Sequence, residues 1–462
     1  MDSLDAISPI DGRYRKETEA LAAYFSESAL MRYRLIVEGE YLIALSELGI
    51  GVRQFTSPEK EIIRGLYALP EEKIAIISEI ELRGYKNIKA TDHDVKAVEY
   101  FIKDQLGETS LKDVLEWIHF ALTSYDTNTP ARGLMVSDGL EQVIIPALEK
   151  IHSEIEKLAE TYASLPMLAR THGQPASPTT FGKEFKVFSQ RLNRQLGQLK
   201  QQRILVKFSG ATGNFNAHVA AYLKIDWIKF AENFIDTLNG NRTIRLVLNL
   251  PTTQIDPHDS EAEIFDCLRR INTILIGFNQ DIWRYISDEW IVQKTVEGEV
   301  GSSTMPHKIN PIKFENSEGN LGLANALLNY FSTKLPVSRL QRDLSDSTVE
   351  RNYGVALAHS LLGYKYILKG LSRVAVNEVK IREELENHPE VIAEAIQTIL
   401  RREGVEMPYE KLKELTRGRK VTMQDLSDFI DSLAVSDAVK AELHRITPAN
   451  YIGLAEKLAG EL

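Results

Sequence analysis

The chain has 462 residues, of which 43% are hydrophobic and 26% charged, proportions that exclude a disordered or fibrous protein. Lys and Arg number 55 against 65 Asp and Glu, and the resulting charge of −10 makes nucleic acid and anionic membranes poor partners. An anionic small molecule remains possible where a few Arg and Lys converge on one pocket. Cys267 is the only cysteine, so neither an internal disulfide nor a thiolate metal cluster can form. The start, MDSLDAISPIDGRY, is acidic where a signal peptide is basic, and no apolar run nears the roughly 20 residues that span a bilayer. A cytoplasmic protein is expected.

In chain order, residues 1–111 read as short helices broken by turns, with punctuation at Ser57-Pro58 and Pro70. Residues 112–365 carry apolar side chains alternately three and four apart, the seam of a bundled helix. The seams are Ile144, Leu148, Ile151, Ile155, Leu158; then Phe185, Phe188, Leu192, Leu196, Leu199; then Ile264, Leu268, Ile271, Leu275, Phe278, Ile282, Tyr285. Two more follow: Ala324, Leu328, Phe331, Leu335, and Leu357, Leu361, Tyr364, Leu368, Leu371. The longest spans about 22 residues, or ~33 Å of helix. Residues 366–462 read again as short helices, with breaks at Gly404, Met407-Pro408 and Thr447-Pro448. Only Thr243 to Leu250 alternates like a strand. The expected fold is all-α: a long-helix bundle between smaller helical N- and C-terminal domains. Narrow stripes on very long helices leave other apolar faces uncovered, so homo-oligomerisation is expected.

Polar segments interrupt this body. The longest is Gly298-Glu-Val-Gly-Ser-Ser-Thr-Met-Pro-His-Lys-Ile-Asn-Pro311, too polar for core and too long for a plain turn. Its two glycines suit a lid, although an exposed connector has the same composition. Within it, GSSTMPHKINP resembles the signature of the fumarase/aspartase superfamily, whose members eliminate fumarate from a succinyl compound. Three further segments match one branch. They are Ala90-Thr-Asp-His-Asp-Val-Lys-Ala-Val98, His119-Phe-Ala-Leu-Thr-Ser-Tyr-Asp-Thr-Asn128 and Arg170-Thr-His-Gly-Gln-Pro-Ala176. With Arg13-Tyr14 and Gln341-Arg-Asp343, the chain resembles the adenylosuccinate lyase family over essentially its whole length.

That resemblance implies a β-elimination that splits adenylosuccinate into AMP and fumarate and also cleaves succinyl-aminoimidazole-carboxamide ribotide. Such chemistry needs a base for a weakly acidic C–H, cations for the aci-carboxylate that results, and an acid for the leaving nitrogen. By motif position, Ser302 is the implied base. A serine hydroxyl needs positive potential and N–H donors to ionise, and Lys308 is the evident cation. Ser303 and Asn310 would hold the succinyl carboxylates, with Asn316 beside them. His172 is the implied general acid, and an unperturbed imidazole near pKa ~6.5 suits that task. His93, between Asp92 and Asp94, would assist, and both aspartates are among the implied substrate-binding residues. Arg13, Tyr14, Arg342, Ser347, Thr348 and Arg351 match positions that hold phosphate and ribose. Thr123 and Ser124 match a succinyl carboxylate site, and Gln254 lies where the family contacts substrate near the leaving nitrogen. Arg339 fits a surface ion pair as readily. Asp92 stands where members of the family often carry Asn, leaving it either a substrate contact or a support for His93.

The resemblance also implies a homotetramer whose sites draw on three subunits. No HExxH, GxGxxG or GxxxxGK[ST] is present, so no metal or cofactor is implied. A non-catalytic helical oligomer is the rival reading, and it has no use for Ser302, Lys308, Asn310, His172 and His93 together.

Overall fold

The computed structural model describes residues 4–294, 305, 308–416 and 420–460. It is dominated by helices, as the seams predict, with six short strands in three two-stranded sheets among the described residues. No described helix is long and apolar enough to cross a membrane. The chain divides into two compact units. One comprises Met1–Leu148, Gln195–Thr273 and Gly319–Lys365, the other Glu149–Arg194, Ile274–Glu318 and Tyr366–Leu462.

The seams form the cores. Along Asp259–Ser287, 29 residues and so about 44 Å of helix, Ile264, Leu268, Ile271, Leu275, Phe278 and Ile282 are all buried, while Tyr285 is half-buried. In Phe181–Lys200 all five seam residues are buried. Two seams drift. Ala159 is buried where Leu158 was expected, because the face of a straight helix of 3.6 residues per turn runs ahead of a 3.5-residue repeat, and Ile367 is buried where Leu368 was. A π-helical turn at Leu140–Ile144 opens the helix before Ile145–Thr161, and Pro146, which has no N–H to donate, follows directly.

The expected strand exists in shortened form: Leu246–Leu248 pairs in parallel with Ile204–Val206. Two other pairings were not expected. Ile291–Gln293 runs antiparallel to Val374–Val376, and Pro166–Thr171 forms a hairpin with Gln174–Thr180. The hairpin's apolar side chains do not alternate. Its Leu168 instead enters a core made by Leu385, Ile392, Ile396, Leu426 and Leu443 of the C-terminal helices.

In the first unit, Lys207 and Asp126 form a fully buried ion pair at 2.5 Å. Asp126 also accepts the N–H groups of Thr123, Ser209 and Gly210, tying the start of the Ser124–Gly139 helix to the loop after Ile204–Val206. Removing the carboxylate strands a buried ammonium. Asp126→Ala is expected to cost about 3–5 kcal/mol, read as a lower denaturant midpoint at unchanged m-value.

Candidate active site

In the first unit, the motif segments meet at helix starts. The chain before Asp94–Leu106 is pinned by Thr91 N–H to the Ile80 carbonyl and Asp92 N–H to the Glu81 carbonyl. Asp92 sits in the left-handed region, φ 49°, and is exposed. His93 is the N-cap: its Nδ1 accepts the Lys96 N–H at 3.2 Å. An accepting Nδ1 puts the proton of the neutral ring on Nε2, so His93 is a donor through its exposed nitrogen. Asp94 Oδ1 accepts the Val95 N–H at 2.8 Å, while Oδ2 takes Arg34 at 2.6 Å and Arg351 at 3.3 Å. Burial would push the Asp94 carboxyl up, but Arg34, with Arg351 behind it, overcomes this and holds it at about 2.

Arg34 is itself fully buried and donates from Nε to Asn128 Oδ1 at 2.8 Å. It thereby joins the His93 segment to the Ser124–Gly139 helix, which starts with Thr123 and Ser124, both half-buried. The next residue, Tyr125, carries the Arg342 guanidinium 3.9 Å over its ring. Arg342 follows Gln341, whose carbonyl accepts the Gln254 N–H at 3.3 Å, so Gln254 lies beside the same segment. The short Ser345–Glu350 helix then supplies Ser347 and Thr348, and Arg351 donates to Ser347 Oγ at 2.8 Å. This helix is anchored from below by Glu350, buried against Arg132 at 3.1 Å and the Tyr125 hydroxyl at 3.3 Å. Arg342 and Arg351 thus stand with several hydroxyls near these helix starts, each beside a carboxylate, Asp346 at 3.7 Å from Arg342 and Asp94 at 3.3 Å from Arg351, and guanidiniums of this kind suit phosphate and carboxylate. Arg339, 82% exposed, pairs with Asp343 at 3.5 Å, which is the surface ion pair considered for it. Arg13 is exposed and Tyr14 half-buried, on a turn held by the Tyr14 N–H to the Pro9 carbonyl.

One residue the sequence reading passed over is His119, which opens the segment ending in Thr123-Ser124. It adopts φ 60°, and its Nδ1 meets Glu38 Oε1 at 2.7 Å. Burial pushes the imidazole down, yet the Glu38 carboxylate outweighs it and raises the ring's pKa. Thr127 also donates to Glu38. Its place at the head of the quoted segment His119–Asn128 is the sequence signal that could have found it.

In the second unit, His172 and Gly173 are the two central residues of the hairpin turn, at φ 53° and 76°. Two successive positive φ values make this a type I′ turn, which matches the strand twist and leaves His172 exposed at the tip. Lys308 is exposed, with its N–H on the Met305 carbonyl, and Asn310 and Asn316 are half-buried at the entry to Ile312–Lys334. Gln293 donates to the Ile309 carbonyl at 2.6 Å, fixing this segment. Ser302 and Ser303 lie outside the described residues.

The Asp94 pairing has a measurable signature. A carboxylate lowered from 3.8 to about 2 contributes roughly 2 kcal/mol that is fully present above pH ~4 and lost as pH falls through 2. Asp94→Asn is expected to lack this component, so its unfolding free energy falls less steeply between pH 4 and 2 than the wild type's.

Two family models match the chain: "Lyase" over residues 12–325 and "Adenylosuccinate lyase C-terminal" over residues 338–452. Adenylosuccinate lyase of Haemophilus influenzae is 48% identical, with 100% of this chain and 99% of that protein covered. That of Escherichia coli K12 is 48% identical at the same coverage, and that of Dictyostelium discoideum 50% identical over 98% of this chain and 97% of that protein. Among solved structures, the 3-carboxy-cis,cis-muconate lactonizing enzyme of Pseudomonas putida aligns at TM-score 0.73 and 19% identity, covering 96% of this chain and 95% of that one. Fumarate lyase of Mesorhizobium sp. BNC1 aligns at TM-score 0.71 and 18% identity, covering 96% of each chain. Both likenesses concern the fold alone. The family models and the full-length relatives together make this chain a lyase that belongs to the adenylosuccinate lyase family.

Proposed function

We propose that the protein cleaves adenylosuccinate to AMP and fumarate, and succinyl-aminoimidazole-carboxamide ribotide to the carboxamide ribotide and fumarate. The observation that carries this reading is the 48% identity to adenylosuccinate lyases across the entire chain. The cationic, hydroxyl-rich cluster of Arg342, Arg351, Ser347 and Thr348 supports it, since both substrates are phosphorylated. No metal or cofactor enters the reading.

In this proposal Ser302 takes the proton from the succinyl carbon and Lys308 stabilises the aci-carboxylate. Ser303, Asn310, Asn316, Thr123 and Ser124 bind its carboxylates. His172 protonates the departing nitrogen, and His93 donates from Nε2. Arg13, Tyr14, Arg342, Ser347, Thr348 and Arg351 bind phosphate and ribose, and Gln254 approaches the leaving nitrogen. Asp94 acts by fixing Arg351, whereas the exposed Asp92 is left to substrate. His119, whose pKa the Glu38 carboxylate raises, stands at the head of the segment that carries Thr123 and Ser124.

We further propose a cytoplasmic homotetramer with sites assembled from several copies. The support is a second seam on Ile312–Lys334: Gly319, Leu323, Ala326 and Tyr330, spaced four, three and four apart, are all exposed, with Leu323 at 56% and Tyr330 at 51%. Such spacing on an uncovered face matches a partner helix. The divisions at residues 111 and 365 remain part of this proposal.

Addition of adenylosuccinate is expected to change the ultraviolet spectrum with stoichiometric release of fumarate; absence of fumarate overturns the reading. His172→Ala and Ser302→Ala are each expected to lower kcat by about 10²–10⁴-fold. Mixing the two inactive variants through reversible dissociation should regenerate activity when sites are shared, and mixtures that stay inactive argue for sites built from one chain.

A further inference from the structure

We infer that Glu384, on the Glu378–Glu386 helix, is a positioning residue for the general acid and acts through Arg170 on the turn that carries His172. The inference rests on the reading of His172 as that acid. A histidine at the exposed tip of a two-residue turn has little side-chain packing to aim it, so its direction follows the backbone of the turn. Arg170 controls that backbone. It stands in the Pro166–Thr171 strand, two residues before His172, and its Nη1 donates across the turn to the Gly173 carbonyl at 3.3 Å. Its Nη2 donates to Glu384 Oε1.

The planar guanidinium therefore spans two fixed points, a helical carboxylate and the carbonyl next to the acid. Its remaining nitrogen, Nε, is buried without a hydrogen-bond partner, so Glu384 and Gly173 are what orient the group. His388, one turn further along, has Nε2 3.7 Å from Glu384 Oε1 and holds Glu390 by Nδ1 at 2.8 Å. The second strand is clasped separately, with Ser177 and Tyr451 both donating to Glu394. Loss of Glu384 thus frees the turn without removing the hairpin from its core of Leu168, Leu385, Val391 and Ile392. An ordinary structural ion pair would affect only stability, whereas a positioning pair affects the protonation step.

The test is steady-state kinetics with adenylosuccinate on Glu384→Ala, Glu384→Gln, Arg170→Ala and the Arg170→Ala/Glu384→Ala double variant, beside His172→Ala. Glu384→Ala is expected to lower kcat by about ten- to a hundredfold with KM within about twofold, the scale of a misplaced reacting group. Glu384→Gln, which retains an oxygen acceptor for the guanidinium, should recover most of that loss. The double variant should be no slower than Arg170→Ala, because both remove one linkage. Wild-type kcat in Glu384→Ala, equal damage from Gln and Ala, or a double variant as slow as the product of the singles each overturns the inference. If Glu384→Ala does not fold, Arg170→Lys replaces it. A single ammonium cannot span both partners as the fork does, so unchanged kcat there also overturns the inference. His172→Ala with normal turnover refutes the reading of the acid instead, and is thereby distinguishable from failure of the clamp.

Discussion

A charged group removed from water must find its counter-charges in fixed places, and Arg34 is where that requirement organises the first unit. Its guanidinium is fully buried, with Asn128 on one nitrogen and Asp94 on another. Because Asp94 opens the Asp94–Leu106 helix and Asn128 lies in the first turns of Ser124–Gly139, the ion fixes two helix starts relative to each other. The same Asp94 oxygen receives Arg351, so the segment that carries Ser347, Thr348 and Arg351 is tied to these two helix starts. Burial pushes the Arg34 pKa down and Asp94 pulls against it, leaving the pair mutually dependent. The neighbouring Lys207–Asp126 and Glu350–Arg132 pairs repeat the device one layer away. The motif residues of the first unit are therefore held by buried ions rather than by the apolar seams, which only bring the helices to the right distance.

The seams were legible because helical periodicity repeats over many residues and survives an error of one position, as at Leu158 and Leu368. The Pro166–Thr180 hairpin was not, since its three prolines and missing alternation carry no strand pattern; it is a strand pair because Leu168 completes a core supplied more than two hundred residues later. The roles of Asp94 and His119 were hidden for a related reason. Their partners Arg34 and Glu38 lie 60 and 81 positions away on an ordinary-looking helix. The N-cap role of His93 was equally hidden, because histidine is not among the usual capping residues. Motif positions named the candidate residues, but they did not say which carboxylates stand exposed, as Asp92 does, and which are committed to arginines, as Asp94 is.

Both units use the same construction: a rigid helix or hairpin ends, the backbone turns through positive φ, and the chemical group stands at that turn. Asp92, His119 and His172 all have φ near 50–60°, a strained state for residues other than glycine. The neighbouring anchors, Glu81 for Asp92, Glu38 for His119 and Arg170 for the His172 turn, hold these conformations in place.

In the proposed homotetramer, the exposed seam of Gly319, Leu323, Ala326 and Tyr330 would bear on the life of the chain before it meets another copy. A newly synthesised protomer carries a sticky rod whose small and large side chains fit any matching helix, correct or not. Its hazard is greatest when copies are scarce or when synthesis outruns pairing, and abundance itself then becomes part of what keeps this protein in its native form.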